Sequence, residues 1–114
     1  LQICYDLRFP CFARNSISDT YDVALYVANW PEVRRHPWRT LLQARAIENQ
    51  CYVVGVNRTG SDPNKIAYCG DSLGVDPYGN ILSDAKEGES ITLVCNRSTL
   101  EGFRSKFPVL EDAD

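Results

Sequence analysis

Leu1-Gln2-Ile3-Cys4-Tyr5-Asp6-Leu7-Arg8-Phe9-Pro10 opens the chain. It sets three residues of strand character directly against a thiol and a charged turn. A strand holds such a thiol rigidly, and the turn after it exposes the sulfur and leaves backbone N–H groups free, which is what a nucleophile needs. The neighbouring Arg8 favours a thiolate electrostatically. Residue type alone also fits a second reading, a buried inert cysteine, because thiols are among the most buried side chains.

Downstream, Pro10 suits a first helical position, and a short helix is expected over Cys11 to Ser18. Ser18-Asp19-Thr20 is a polar break. Asp22 to Ala28 is mostly apolar, β-branched and too short for a helix to be preferred, so it reads as a buried strand ended by Asn29-Trp30-Pro31. A loop at a strand end is where α/β proteins place ligand contacts. Trp38, Leu41, Leu42, Arg45, Ala46 and Asn49 recur at helical steps, and the interior from Arg39 to Gln50 lacks Gly and Pro. Arg45 and Glu48 lie one turn apart, close enough to pair. Tyr52 to Val56 is a second strand, and Gly60 to Asn64 a polar surface loop. Leu73 to Leu82 reads as a hairpin around Pro77-Tyr78-Gly79-Asn80. Ser90 to Asn96 reads as a third strand. Ser98 and Glu101 have capping-box spacing, which starts a helix near Thr99 that Pro108 ends. Alternating strands and helices without a linker place the chain in the α/β class as part of one layered domain, residues 1–114.

Composition narrows the function. At 114 residues and 44% hydrophobic content the chain carries a real core. A net charge of −3 with no basic run argues against a nucleic-acid partner. No apolar run is long enough to span a bilayer, so a cytoplasmic protein without a membrane partner is expected. The five cysteines are odd in number, widely spaced and free of C-x-x-C pairs, which argues against a disulfide framework and a zinc site. With His36 as the lone histidine, no metal and no cofactor are expected.

Four stretches occur in one order: Cys4-Tyr5-Asp6-Leu7-Arg8-Phe9-Pro10; Val27-Ala28-Asn29-Trp30-Pro31; Arg45-Ala46-Ile47-Glu48-Asn49-Gln50 running into Tyr52 to Gly60; and Gly70-Asp71-Ser72 with Asp76 to Asn80. Together they resemble the nitrilase superfamily, the carbon–nitrogen hydrolases, and most of all its omega-amidase branch, to which Lys106-Phe107-Pro108 is also similar. The resemblance implies a four-layer α-β-β-α sandwich, homodimers packed through helical faces, and hydrolysis of the amide of a small carboxylate-bearing compound. It implies Cys4 as nucleophile and Asn29 and Trp30 as substrate-pocket residues. The backbone N–H of Tyr5, next on the turn, is the natural oxyanion donor. Asp6 and Arg8 are expected to support the turn through an ion pair or a hydrogen-bond network, and Glu48 to fix its helix.

The resemblance also implies a glutamate and a lysine upstream of the nucleophile. Only three residues precede Cys4, and none of Lys65, Lys86 and Lys106 sits in a matching motif. The chain has no methionine and starts within a strand. A C-terminal portion of the family domain, incomplete on its N-terminal side and inactive alone, is therefore expected, with an apolar sheet face left open. Two alternatives remain at this level: an inactive, assembly-only module, and a nitrilase- or carbamoylase-type member of the same superfamily. A Cys–His protease is disfavoured, because the residues around Cys4 match no protease signature. Cys69, beside the polar loop, is expected to oxidise easily.

Overall fold

The computed structural model describes residues 1–86 and 88–112. Seven strands and two α-helices follow in the order β1 (Gln2–Ile3), β2 (Val23–Ala28), α1 (Arg35–Asn49), β3 (Tyr52–Asn57), β4 (Thr59–Ser61), β5 (Ala67–Cys69), β6 (Leu73–Val75), β7 (Ile81–Asp84) and α2 (Arg97–Lys106). Five of the strands form one sheet in the order β1-β2-β3-β6-β7. β1, β2 and β3 run parallel, and β6 and β7 join antiparallel. The parallel β2–β3 pair needs a crossover, which α1 supplies.

α1 covers one face of this sheet. Trp38, Leu42 and Ala46, at helical spacing, pack with Ala24 and Tyr26 of β2, Val53 of β3, and Leu73 and Val75 of β6. The approach is so close that Gly55 of β3 has no room for a side chain. A Cβ there would sit 2.8 Å from Trp38 Cζ2 and closer still to a Leu42 methyl group. Both neighbours are fully buried, so neither can swing away. Gly55→Ala is expected to destabilise the fold by about 1–3 kcal/mol through overpacking, read as a lower urea midpoint. An unchanged midpoint would show that the helix can retreat.

The opposite face is different. Val23, Leu25 and Val27 alternate with Ala24 and Tyr26, yet they are exposed. Their register partners extend the patch, since Ile3 lies beside Val27 and Val27 beside Val56. With Ile3 63% exposed, Leu25 44% and Val56 50%, this is an uncovered apolar sheet face. It fulfils the expectation of an open face.

Several sequence expectations are corrected. No strand forms over Ser90 to Asn96, because no neighbour among the described residues offers this segment a ladder. Leu93 instead lays its side chain over Gly74. The expected helix at Cys11 to Ser18 is a single 3-10 turn, Pro10–Ala13, with Pro10 at its start. It stops because Asn15 turns inward: its amide donates to the Asn49 and Tyr21 carbonyls, and its N–H donates to Asn49 Oδ1. α2 is capped by Asn96, whose Oδ1 accepts from Thr99 N–H at 3.0 Å, and not by Ser98. Glu101 pairs with Arg97 instead of closing a capping box. The polar stretch from Gly60 is partly strand, with β4 and β5 forming a small hairpin. His36, the lone histidine, lies in the first turn of α1. The expected strands at Asp22–Ala28 and Tyr52–Val56, the long helix and the hairpin at Leu73–Leu82 all form. No described helix is long and apolar enough to cross a membrane.

Candidate active site

β1 ends at Ile3, and a 3-10 helix begins at the next residue, Cys4–Arg8. The change of direction is absorbed at Cys4, whose φ is +42°, left-handed backbone that a side chain disfavours. A non-glycine residue held there costs on the order of 1–3 kcal/mol and persists where surrounding contacts fix it. Those contacts are present. The Asp6 carboxylate accepts from Ile3 N–H at 2.9 Å, and the buried Arg45 donates to the Leu7 carbonyl at 2.6 Å. Glu48 in turn binds Arg45 at 2.9 Å, so the pair expected on α1 forms and reaches the cysteine turn.

Asp6 and Arg8 do not pair. Two residues apart on a helical turn they face different ways. Arg8 lies over the Trp30 ring, 4.9 Å from its centroid, while Asp6 braces the turn. Of the two expected arrangements the ion pair does not form, and Asp6 supports the turn by a hydrogen bond instead.

Cys4 is half-buried and lines a cleft of about 410 Å³ with Tyr5, Arg8, Asn29, Trp30, Pro31 and Arg34. Cys4, Tyr5, Asn29 and Trp30, four positions singled out in the sequence, thus meet in one place. Tyr5 sits in the first turn of its 3-10 helix, where N–H groups lack intrahelical acceptors. That donor is adjacent to the sulfur, as a developing oxyanion requires.

The wall opposite the turn is built around Asn57, at the end of β3. Its Oδ1 accepts from Trp30 N–H at 2.7 Å, and its Nδ2 donates to the Trp30 and Gly70 carbonyls at 3.0 and 2.8 Å. Trp30 Nε1 donates to the Arg34 carbonyl at 2.7 Å, and Trp38 Nε1 to the Asp71 carbonyl at 2.8 Å. Ser72 Oγ accepts from Asn57 N–H at 3.0 Å, so Gly70-Asp71-Ser72 supports this wall. The buried Asp71 carboxylate is held by Arg35 and Arg39. Among the described residues, no carboxylate or lysine lines the cleft, and no cluster of metal-ligating side chains occurs.

A thiol on a strained strand-to-helix turn, a free amide beside it and an Asn-Trp-Pro wall decide between related folds. The family model for carbon-nitrogen hydrolases matches residues 1–104. The chain belongs to the carbon-nitrogen hydrolase family. It is 51% identical to the omega-amidase YafV of Escherichia coli K12 over 98% of this chain and 44% of that protein. It is 39% identical to the 2-oxoglutaramate amidase of Bacillus subtilis over 96% of this chain and 42% of that one. A CN-hydrolase superfamily protein of Xanthomonas campestris, whose crystal structure carries an arsenic adduct in the active site, superposes with a TM-score of 0.92 at 43% identity. That match covers 98% of this chain and 45% of the other. The chain thus spans less than half the length of these relatives, and the sheet with its helices is a part of the nitrilase fold.

The other thiols of this carbon-nitrogen hydrolase chain differ from Cys4 in setting. Cys51 is fully buried, and burial pushes its thiol up to about 12. Burial also raises the Cys69 thiol, with Asp71 adding to the effect, so less of it is thiolate. Burial likewise raises the Tyr26 phenol to about 12. A group raised on folding adds stability that is complete below its unfolded value and is lost as pH climbs through its folded value. For Cys51 that window runs from about pH 9 to about pH 12. The urea midpoint is expected to fall between about pH 9 and about pH 11, and to fall less in Cys51→Ala. Equal declines in both proteins would contradict this.

Proposed function

We propose that this chain is the C-terminal part of an amidase that hydrolyses the terminal amide of a small carboxylate-bearing compound through a thioester on Cys4. The observation that carries the reading is the placement of Cys4. It sits at left-handed φ on a turn clamped by Asp6 and Arg45, lining a cleft, with the Tyr5 N–H next in the chain.

The chemistry follows from that placement. The Cys4 sulfur attacks the amide carbon, and the carbonyl oxygen takes up charge next to the Tyr5 N–H. The C–N bond then breaks and the nitrogen leaves as ammonia with a proton from a general acid. Water adds to the thioester, the carboxylate product departs, and the proton returns to sulfur. The acid–base group and its cationic partner belong, on this reading, to the segment preceding Leu1. That segment also covers the open face at Ile3, Leu25 and Val56.

The relatives support the class of substrate, two of them being named omega-amidase and 2-oxoglutaramate amidase. The arsenic adduct in the Xanthomonas active site supports a thiol, because arsenic bonds readily to sulfur. The direct experiment follows ammonia and 2-oxoglutarate production from 2-oxoglutaramate by the full-length protein. Stoichiometric release of both is expected, and turnover of nitriles or N-carbamoyl compounds in its place would move the chain to another branch of the family.

A further inference from the structure

We propose that Arg34 is the residue that receives the free carboxylate of the substrate in the Cys4 cleft, and that it sets the preference for amides of dicarboxylic acids over neutral amides. The proposal rests on the amidase reading and names the specificity determinant of that site.

The cleft is cationic in a chain of net charge −3. Its lining holds two arginines, Arg8 and Arg34, and no acidic side chain. They differ in commitment. The Arg8 guanidinium lies over the Trp30 ring. Arg34 makes no side-chain hydrogen bond and no ion pair among the described residues, whereas its neighbours Arg35 and Arg39 are both taken by Asp71. Arg45, Arg97 and Arg104 are likewise matched with carboxylates. Arg34 also borders an adjoining groove with Glu32, Lys65 and Ile66, but Glu32 does not line the Cys4 cleft and makes no ion pair with Arg34.

The main chain of Arg34 is nevertheless fixed. Its N–H donates to the Pro31 carbonyl at 2.9 Å, and its carbonyl accepts from Trp30 Nε1 at 2.7 Å. A guanidinium rooted on a rigid wall, free of internal partners and sharing a cleft with a nucleophilic thiol, is suited to a bidentate carboxylate. A substrate spanning the cleft would put its amide at Cys4 and its far carboxylate at Arg34. A neutral amide of the same length would leave the guanidinium unpaired.

The test compares glutaramate with pentanamide, an uncharged amide of the same chain length, in the full-length enzyme. Arg34→Gln is expected to lower the ratio of kcat/KM for glutaramate over pentanamide by about 10- to 100-fold, mainly through KM for glutaramate. Arg34→Lys, which keeps the charge and loses the planar fork, is expected to fall between. The fold contacts of Arg34 come from its backbone, so both variants should melt as the wild type does. A ratio unchanged in Arg34→Gln would overturn the proposal. If the wild type released ammonia from neither amide, the amidase reading would fail on its own. Calorimetric titration of glutarate would then decide the Arg34 site separately: at least about tenfold weaker binding by Arg34→Gln supports it, and equal binding overturns it.

Discussion

Replacing Cys4 by alanine in the full-length protein is expected to reduce ammonia release from 2-oxoglutaramate by at least about 10⁴-fold, with the fold intact. Alanine keeps the Cβ and removes only the sulfur. The Asp6 bond to Ile3 N–H and the Arg45 bond to the Leu7 carbonyl do not involve that sulfur, so the turn should hold its shape. The size of the effect follows from the role. A nucleophile forms the covalent intermediate, and the Tyr5 N–H and the Trp30 wall cannot substitute for a bond to carbon. Cys4→Ser is expected to be nearly as poor, since an alcohol placed in a site tuned for a thiol ionises far less readily. Substantial turnover by Cys4→Ala would remove the cysteine from the mechanism.

The 114-residue chain expressed alone is expected to aggregate, to bind the dye ANS and to lack a sharp cooperative melt. Ile3, Val23, Leu25, Val27 and Val56 form a contiguous apolar face across three strands that no described element covers. Such an exposed apolar patch invites association. Leu25→Lys should therefore raise the soluble yield of the isolated chain. In the full-length protein the same change should destabilise by several kcal/mol, because it would bury a lone charge. A sharp, reversible two-state melt of the isolated monomer without dye binding would show that the face needs no cover.

What the sequence made legible, and what it hid, divides along local and non-local physics. Trp38, Leu42 and Ala46 announce α1 because one stripe of one helix is a local pattern. Pro77 to Asn80 announces the β6–β7 hairpin because turn chemistry is local too; Asp76 Oδ1 accepts from the N–H groups of Tyr78 and Asn80. Ile91 and Leu93 are half-buried and Thr92 and Val94 exposed, so the alternation read as a strand is real, yet a strand also needs a ladder partner. The β4–β5 hairpin was hidden for the converse reason: its polar, exposed residues carry no apolar signal, and register alone pairs Thr59 with Cys69.

The site divides in the same way. Cys4 with Tyr5, and Asn29 with Trp30, stand in contiguous motifs, and the fold brings the two motifs to one cleft. Arg34 was not legible. An exposed arginine in a polar stretch looks like any solvated residue until its neighbours' ion pairs are known. Asn57 directly follows the strand read over Tyr52 to Val56, but its three bonds to Trp30 and Gly70 depend on the parallel register of β2 and β3.

The most direct measurement is the mass of the full-length protein quenched in acid during turnover of 2-oxoglutaramate, followed by mapping of any adduct. The predicted result is a gain equal to the substrate less ammonia, carried on the peptide containing Cys4. Turnover with no such adduct on that peptide, or with the acyl group on Cys11 or Cys69 in its place, would contradict the assignment of Cys4 as the nucleophile.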